Sequence, residues 1–475
     1  MNRPRLPGLV LTALVAGCAV GPNYHAPPPP PGAPGPLVSV NPAVEATDAT
    51  PDAWWRLYDD PELDRLEQQA FAANADLAVA QANLGVARAS LEAARNGLYP
   101  QTHAEVGAVY GRDPTADEIL EFTGRPPETL WLFDDVLDVS YELDLFGHVK
   151  RSVQASRADA EAAIAARDAV KVTVAAETAR AYAQVCALGE QLAVARRSSD
   201  VVGHEREIVG QRHDAGAGSE FDVVRAEELE AQVRSAIPPL EGQRRAALFQ
   251  LTALLGLAPS RAPAEVLACV TPPRLSAPLP VGDGMALLER RPDVRLADRR
   301  LAAATARIGV ATAELYPRVS LTGFYGGASA DVSGLIAERG LVWGAGPAIS
   351  WSFPNLAGPV AKVHAAKAGA AAALAGFDTT VLQALKETEQ ALATYGAELD
   401  HHAALADAQA KARRALDMAH GQFVAGSLST LDLLTSEQAL VAADTAVAAS
   451  DAALVQDQIA VFKALGGGWR AQIQQ

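Results

Sequence analysis

Thiols are the first residues to ask about, because cysteine can be acylated, can pair, can bind metal and can attack a carbonyl. Cys18, Cys186 and Cys269 stand far apart in a chain of 475 residues, too few and too scattered for a thiolate metal site or a disulfide framework. Cys186 and Cys269 read as small buried hydrophobes, the common state of free cysteine. If the chain is exported they are also free to pair, and spacing does not choose between the two. The imidazoles offer less: His401 and His402 are adjacent, so on a helix they point about 100° apart and do not chelate as an i, i+4 pair would. The chain has no phosphate loop, no Gly-x-Gly-x-x-Gly after a strand, no His-Glu-x-x-His and no Gly-x-Ser-x-Gly. Gly466-Gly467-Gly468 lacks the lysine a phosphate loop requires. No enzymatic chemistry, metal or cofactor is expected.

Cys18 alone sits where a thiol has a defined fate. Arg3 and Arg5 precede an apolar stretch, Leu9 to Ala16, the layout of a short export signal. The stretch ends in Val15-Ala16-Gly17-Cys18, which resembles the lipobox of bacterial lipoproteins. There the cysteine becomes the mature N-terminus and carries acyl chains, and Ala19 in place of Asp implies sorting to the outer membrane. The formal charge is −16, and loss of Arg3 and Arg5 with the signal makes the mature chain more negative still. Such a balance argues against nucleic acid as a partner. Past the signal no apolar run reaches the roughly 20 residues of a spanning helix, so any membrane must be crossed by another device. From Gly21-Pro22-Asn23-Tyr24 a proline-rich stretch continues through Pro36, which reads as an extended strap.

The elements that must position these residues come in two copies. Asp76, Leu84, Leu98, Tyr99 and Pro100 recur as Asp293, Leu301, Leu315, Tyr316 and Pro317, at a constant offset of 217. Downstream, Glu177, Gly216, Ser219, Asp222 and Glu227 recur as Glu387, Gly426, Ser429, Asp432 and Glu437, at an offset of 210. Each copy opens on a helix with a seven-residue apolar seam, Leu77, Leu84, Leu91, Leu98 in one and Val294, Leu301, Ile308, Leu315 in the other. That period belongs to helices that supercoil against neighbours. Then the period becomes two. Leu137, Val139, Tyr141, Leu143 and Leu145 alternate with Asp138, Ser140, Glu142 and Asp144; Ile349, Trp351 and Phe353 alternate with Ser350 and Ser352. Weaker strand patterns precede them at Ala104–Tyr110 and Val319–Gly323. Strands of about 9–11 residues suffice to cross a bilayer at a tilt.

After each hairpin runs a proline-free helical stretch, Val149–His213 and Val360–Phe423, on the order of 95 Å long. Each ends in a turn, Gly216-Ala217-Gly218-Ser219 or Gly426-Ser427-Leu428-Ser429, with serine three before an aspartate as in a capping box. The first return helix meets Pro238-Pro239 and is expected to break there; the second, with Ala448-Ala449, runs on. Hydrophobic residues make up 49% of the chain but aromatics only 5%, which suits long helices packed through alanine better than a compact aromatic core.

Four strands with a lipid-compatible face cannot span a bilayer alone, since open edges leave backbone groups unsatisfied in hydrocarbon. Two or three chains would close a barrel with a polar lumen. The chain as a whole resembles the outer-membrane factor (TolC-like) family, and within it the lipoprotein branch often called NodT-type. The carriers are Cys18-Ala-Val-Gly-Pro-Asn-Tyr24, Trp54-Trp55 before Asp60-Pro61, and Ser140-Tyr-Glu-Leu-Asp-Leu-Phe-Gly147. To these are added Arg290-Arg-Pro-Asp-Val294, Leu315-Tyr-Pro317 with Ser320-Leu-Thr-Gly323, and Ala464-Leu-Gly-Gly-Gly-Trp469.

The resemblance implies an α+β membrane protein, internally duplicated: a long α-helical coiled-coil barrel joined to a transmembrane β-barrel formed by three chains, four strands from each. It implies a homotrimer in the outer membrane that meets a periplasmic adaptor and an inner-membrane transporter, usually a proton-driven pump of the resistance–nodulation–division type. The expected function is the outer-membrane channel of a tripartite efflux system exporting small molecules such as drugs. A type I protein secretion duct is the alternative channel, and a soluble periplasmic coiled-coil lipoprotein with a structural role is the alternative of another class. The expected divisions are a signal peptide (1–17), a lipid anchor and strap (18–61), a first repeat (62–280, hairpin 102–146), a second repeat (281–465, hairpin 318–354) and a tail (466–475). The turns at Gly216, Gly218, Ser219, Gly426 and Ser429 are expected to be periplasmic tips, either as plain reversals or as docking points for an adaptor. By the same resemblance Arg212, Asp214, Arg413 and Asp417 are candidates for a constriction above the tip, with solvated helix-surface charge as the equal alternative.

Overall fold

Asp60 opens the helical body by accepting the backbone N–H groups of Glu62 and Leu63, with Pro61 in the first turn where an N–H is dispensable. The structure is a computed structural model describing residues 19–39, 44–45, 50–112, 129–275 and 277–468. In chain order its elements are β1 (Val44–Glu45), α1 (Pro61–Ala73), α2 (Ala75–Asn96), β2 (Gln101–Arg112) and β3 (Thr129–Leu143). Then come α3 (His148–Asp214), α4 (Glu220–Ser235), α5 (Ile237–Leu254), β4 (Leu279–Pro280) and α6 (Gly284–Arg290). The second half continues with α7 (Pro292–Ala313), β5 (Arg318–Ser329), β6 (Leu341–Ser350), α8 (Ala357–Val424) and α9 (Thr430–Ala464). Two compact units result, each discontinuous: 1–27, 84–163 and 297–377 in one, 28–83, 164–296 and 378–475 in the other.

The first unit holds a four-stranded antiparallel sheet in the order β2-β3-β5-β6. The two hairpins are thus joined through β3 and β5, and among the described residues β2 and β6 each keep one edge unpaired. Strand boundaries differ from the sequence expectation. β3 starts at Thr129, eight residues before the readable alternation, because Asp134-Asp135 interrupts the pattern. β6 spans Leu341–Ser350, so only Ile349 of the expected trio lies in it. Its glycine- and alanine-rich sequence carries no alternation to read, and Trp351 to Phe353 lie beyond its end. Leu145, too, falls past the end of its strand. In the same unit Leu84 of α2 is fully buried, while α7 buries Leu301 together with Ala302, Ala303 and Ala306. Both seams stop early: α2 ends at Asn96 and α7 at Ala313, leaving Leu98 and Leu315 in the turns before Pro100 and Pro317. A residue preceding proline is driven out of the helical region, and the helix ends before it.

The second unit contains a core that composition did not suggest. Trp54 stacks on Phe462 with ring centroids 4.6 Å apart, and Trp55 and Tyr58 meet Trp54 edge-on. Leu63, Leu66, Leu251, Leu255 and Ile459 pack around them. Several of the few aromatics gather in this core. Cys186 and Cys269 are bonded to each other, their Cα atoms 4.8 Å apart, which decides for pairing where the spacing had left both readings open. Arg244 braces the junction, donating to the carbonyls of Val185 and Leu267 at 3.1 and 2.8 Å. The return helices behave as their prolines direct: α4 and α5 break at Ala236, and α9 runs 35 residues unbroken. The expectation that no later segment is apolar enough for a spanning helix needs amendment, since α8 and α9 each contain such a window. Alanine supplies it, without a run of large apolar side chains.

Candidate channel wall and helical tip

Register sorts the sheet into two faces. On one, Leu137 lies level with Ala104 and Tyr325, and Tyr325 with Trp343; further along, Leu143, Val319 and Ile349 line up, as do Tyr141, Leu321 and Pro347. On the other, Asp138 lies level with His103 and Phe324, Ser140 with Gln101 and Thr322, and Glu142 with Ser320. Over this stretch one face is therefore mainly apolar and exposed, with Tyr325 and Trp343 among its most exposed side chains; the other carries Asp138, Ser140 and Glu142, with Val136 and Phe324 among them. Glu142 meets His148 at 3.2 Å, and Arg318 lies 3.2 Å from the same imidazole. Around the strand ends, Phe146 stacks on Tyr316 and Trp351 on Phe353. Aromatic pairs of this kind flank the apolar band of membrane strands.

Cys18 and the signal before it lie outside the described residues, as does Trp469, but the start of the strap, Val20 to Tyr24, is fixed to the first unit. Val20 donates its N–H to the Phe146 carbonyl at 3.1 Å. The buried Arg151 guanidinium donates to the carbonyls of Val20 and Gly21, both at 3.0 Å. Gly21 has φ +87 and lies on Gly309, where a Cβ would stand 2.5 Å from the Gly309 Cα. Tyr24 hydrogen-bonds Asp298, and Arg299 lies over its ring. Sequence reading found the strap but missed this clamp, because Arg151, Asp298 and Gly309 belong to no motif with it.

The two turns are built alike. Gly216 (φ +73) and Gly426 (φ +76) sit in the left-handed region with nothing near a would-be Cβ. At the first, Gly216 N–H donates to His213 and Ala217 N–H to Arg212; at the second, Gly426 N–H donates to Phe423 and Ser427 N–H to Gln422. This paired pattern satisfies the last carbonyls of α3 and α8. Ser219 then caps α4 in a full capping box with Asp222, and Ser429 caps α9 through the Asp432 N–H. Gly218 is close to the backbone of His213.

The four constriction candidates are not drawn into one cluster within the chain. Arg212 lies over the Phe423 ring at 4.4 Å, and Arg413 pairs with Asp444 at 3.2 Å. Asp214 is exposed beside His213, and Asp417 is exposed. Sequence reading passed over two buried acids near these residues, Glu205 on α3 and Glu437 on α9. Burial, with the negative charges of Glu205 and Asp444, pushes the Glu437 carboxyl up to about 7. His401 and His402 go to separate carboxylates, Glu398 and Asp451. Among the described residues no group of three or more His, Cys, Asp or Glu side chains could hold a metal ion.

Comparison with known proteins gives one consistent answer. The family model described as outer membrane efflux protein matches residues 66–257 and 285–467, one segment in each repeat. The chain is 29% identical over 442 residues to the pyoverdine export outer membrane protein OpmQ of Pseudomonas aeruginosa, covering 89% of this chain and 88% of that protein. It is 28% identical to nodulation protein T of Rhizobium leguminosarum bv. viciae, over 99% of this chain and 95% of that protein. The solved structure of the outer-membrane channel OprN matches with a TM-score of 0.87 at 32% identity, over 96% of this chain and all of that one.

Proposed function

The chain belongs to the outer membrane efflux protein family, and from that premise we propose that it is the outer-membrane duct of a tripartite system exporting small molecules. The observation that carries this reading is the sheet. It has one mainly apolar exposed face, one face carrying Asp138, Ser140 and Glu142, and, among the described residues, a free edge at each end. An edge of this kind in hydrocarbon leaves a row of backbone groups unsatisfied, so closure by further copies is required. Three copies, with β6 of each chain beside β2 of the next, give a twelve-stranded barrel with the Asp138 face inward. Acylation of Cys18 adds a second hold on the membrane, and the docked strap carries that anchor to the strand–helix junction at Phe146. A periplasmic adaptor meets the turns at Gly216 and Gly426, and a proton-driven inner-membrane transporter supplies the substrate. Asp214 and Asp417, the two candidates without an engaged arginine, are the acids left to narrow the mouth.

Native mass spectrometry in detergent tests the assembly: the expected particle is three times the 49.5 kDa of the chain, less its signal. A stable monomer would sink the closed-barrel argument. Mass analysis of the mature N-terminal peptide should show an acylated Cys18; an unmodified thiol there removes the anchor from the proposal and leaves the barrel.

A further inference from the structure

Two carboxyl groups share an apolar seam close to the helix reversals. Glu205 lies on α3 between Val202 and Val209, both buried, at helical spacing. Glu437 follows Leu434 on α9 by one turn, and Leu434 packs in that same seam with Ala226, Leu229 and Val233 of α4. Glu205 is 7% exposed and Glu437 3%. One Glu205 oxygen, Oε2, is buried without a hydrogen-bond partner among the described residues; the other lies 3.8 Å from His420 Nε2 of α8.

The charges that face this pair are accounted for on every packed element. From α3, Arg206 turns to Glu230 of α4 at 2.9 Å. From α8, Arg413 is taken by Asp444 of α9 at 3.2 Å, and His420 is the basic side chain that meets Glu205 among the described residues. From α9, Asp444 adds a further negative charge. The repeat partners lack the arrangement: Glu227, the counterpart of Glu437, is exposed, and the counterpart of Glu205 is Ala415. The device exists in one of the two seams.

We propose that Glu205 and Glu437 form a proton-operated latch that holds α9 of the second repeat against α3 of the first, about three helical turns from the reversals, and loosens as pH rises. The proposal rests on the reading of these reversals as the channel's periplasmic mouth. Its physics is that Glu437 ionises at a loss beside Glu205 and Asp444 in an apolar seam, because burial and repulsion act in the same direction. The sign follows from Glu437. Its carboxyl is raised from 4.5 to about 7 in the packed seam, so the packed arrangement holds a proton that a separated one gives up. Packing is therefore favoured in acid, and that advantage is lost as pH rises toward and through about 7. An alkaline periplasm loosens the mouth; an acidic one tightens it.

Conductance of the purified assembly in planar bilayers, measured between pH 6 and pH 8.5, tests the latch together with hydrogen exchange of the segments around Glu205 and Glu437. In the wild type, conductance and exchange (corrected for intrinsic rate) should both rise several-fold, with a midpoint near 7. Glu437→Gln keeps the shape and removes the titration, so both curves should be flat and low. Glu205→Gln should move the midpoint to lower pH, and His420→Gln should leave the rise in place. A rise that persists unchanged in Glu437→Gln, or one that vanishes only in His420→Gln, overturns the latch. Exchange independent of pH in the wild type overturns it too, whether or not the protein conducts. An assembly that conducts at no pH, yet shows the exchange response, would support the latch and count against the channel reading.

Discussion

Glu67 shows how much a single side chain can oppose the fold that contains it. It lies on α1, fully buried, its carboxyl meeting the backbone of Ala179 on α3 and no side-chain donor among the described residues. Burial drives its carboxyl well above the ordinary range, so the folded chain keeps a proton there that the unfolded chain releases. The raised value means that the contribution of Glu67 to stability is fully present below about 4.3, the ordinary glutamate value, and is lost as pH rises toward the folded value. Glu67→Gln retains the shape without the ionisation. It should raise the melting temperature at pH 8 by an amount reflecting about 1 kcal/mol or more, and change it little at pH 4. Calorimetry at the two pH values decides; an equal shift at both would show that the carboxyl finds a partner inside the core. Glu437 obeys the same rule beside a second acid and close to the helix reversals, where the proposed latch would put its titration to use.

Among the elements, those with strong local periodicity were legible in the sequence. The long helices needed only an absence of proline and a glycine to end them, and α3 and α8 begin and end within about three residues of expectation. The capping serines and the Pro238 break are local chemistry and were read directly. Strand β6 and the first half of β3 were not, because small residues and Asp134-Asp135 erase the alternation on which strand reading depends. The aromatic core and the disulfide join residues hundreds or tens of positions apart, and no spacing encodes such pairs. The strap clamp falls in the same class and permits a test at this scale. A side chain at position 309 would start 2.7 Å from the Arg151 Cγ, so Gly309→Leu should push Arg151 off the strap. Chymotrypsin should then cut at Tyr24 in the variant and spare the wild type, while native mass spectrometry still shows assembly. Equal resistance in both would mean that Tyr24 and Asp298 hold the strap without Arg151.

For the whole molecule, duplication sets the problem that function must solve. One plan is written twice, so each chain offers two helical reversals, at Gly216 and Gly426, with the same hydrogen-bond pattern and the same capping serine three before an aspartate. Three chains would present six near-equivalent turns to a partner. Both glycines have positive φ and open space around the missing side chain, so two effects of substitution can be separated. Alanine at either position adds backbone strain of about 1 kcal/mol with almost no bulk. Lysine or glutamate adds similar strain together with length and charge. If the turns serve only as reversals, alanine and the charged residues should lower stability alike and leave transport alike. If the exposed turns are the surface an adaptor grips, the paired Gly216→Glu and Gly426→Glu variant should abolish export, whereas the paired alanine variant retains most of it. In both variants trimers should remain in the outer membrane. Efflux of a fluorescent substrate from cells carrying the partner proteins, with trimer level measured alongside, distinguishes these outcomes. Full export by the charged variant at normal trimer level would show that the partner grips the helices below the turns, and the family's tripartite contact in this chain would then have to be sought along α4 and α9.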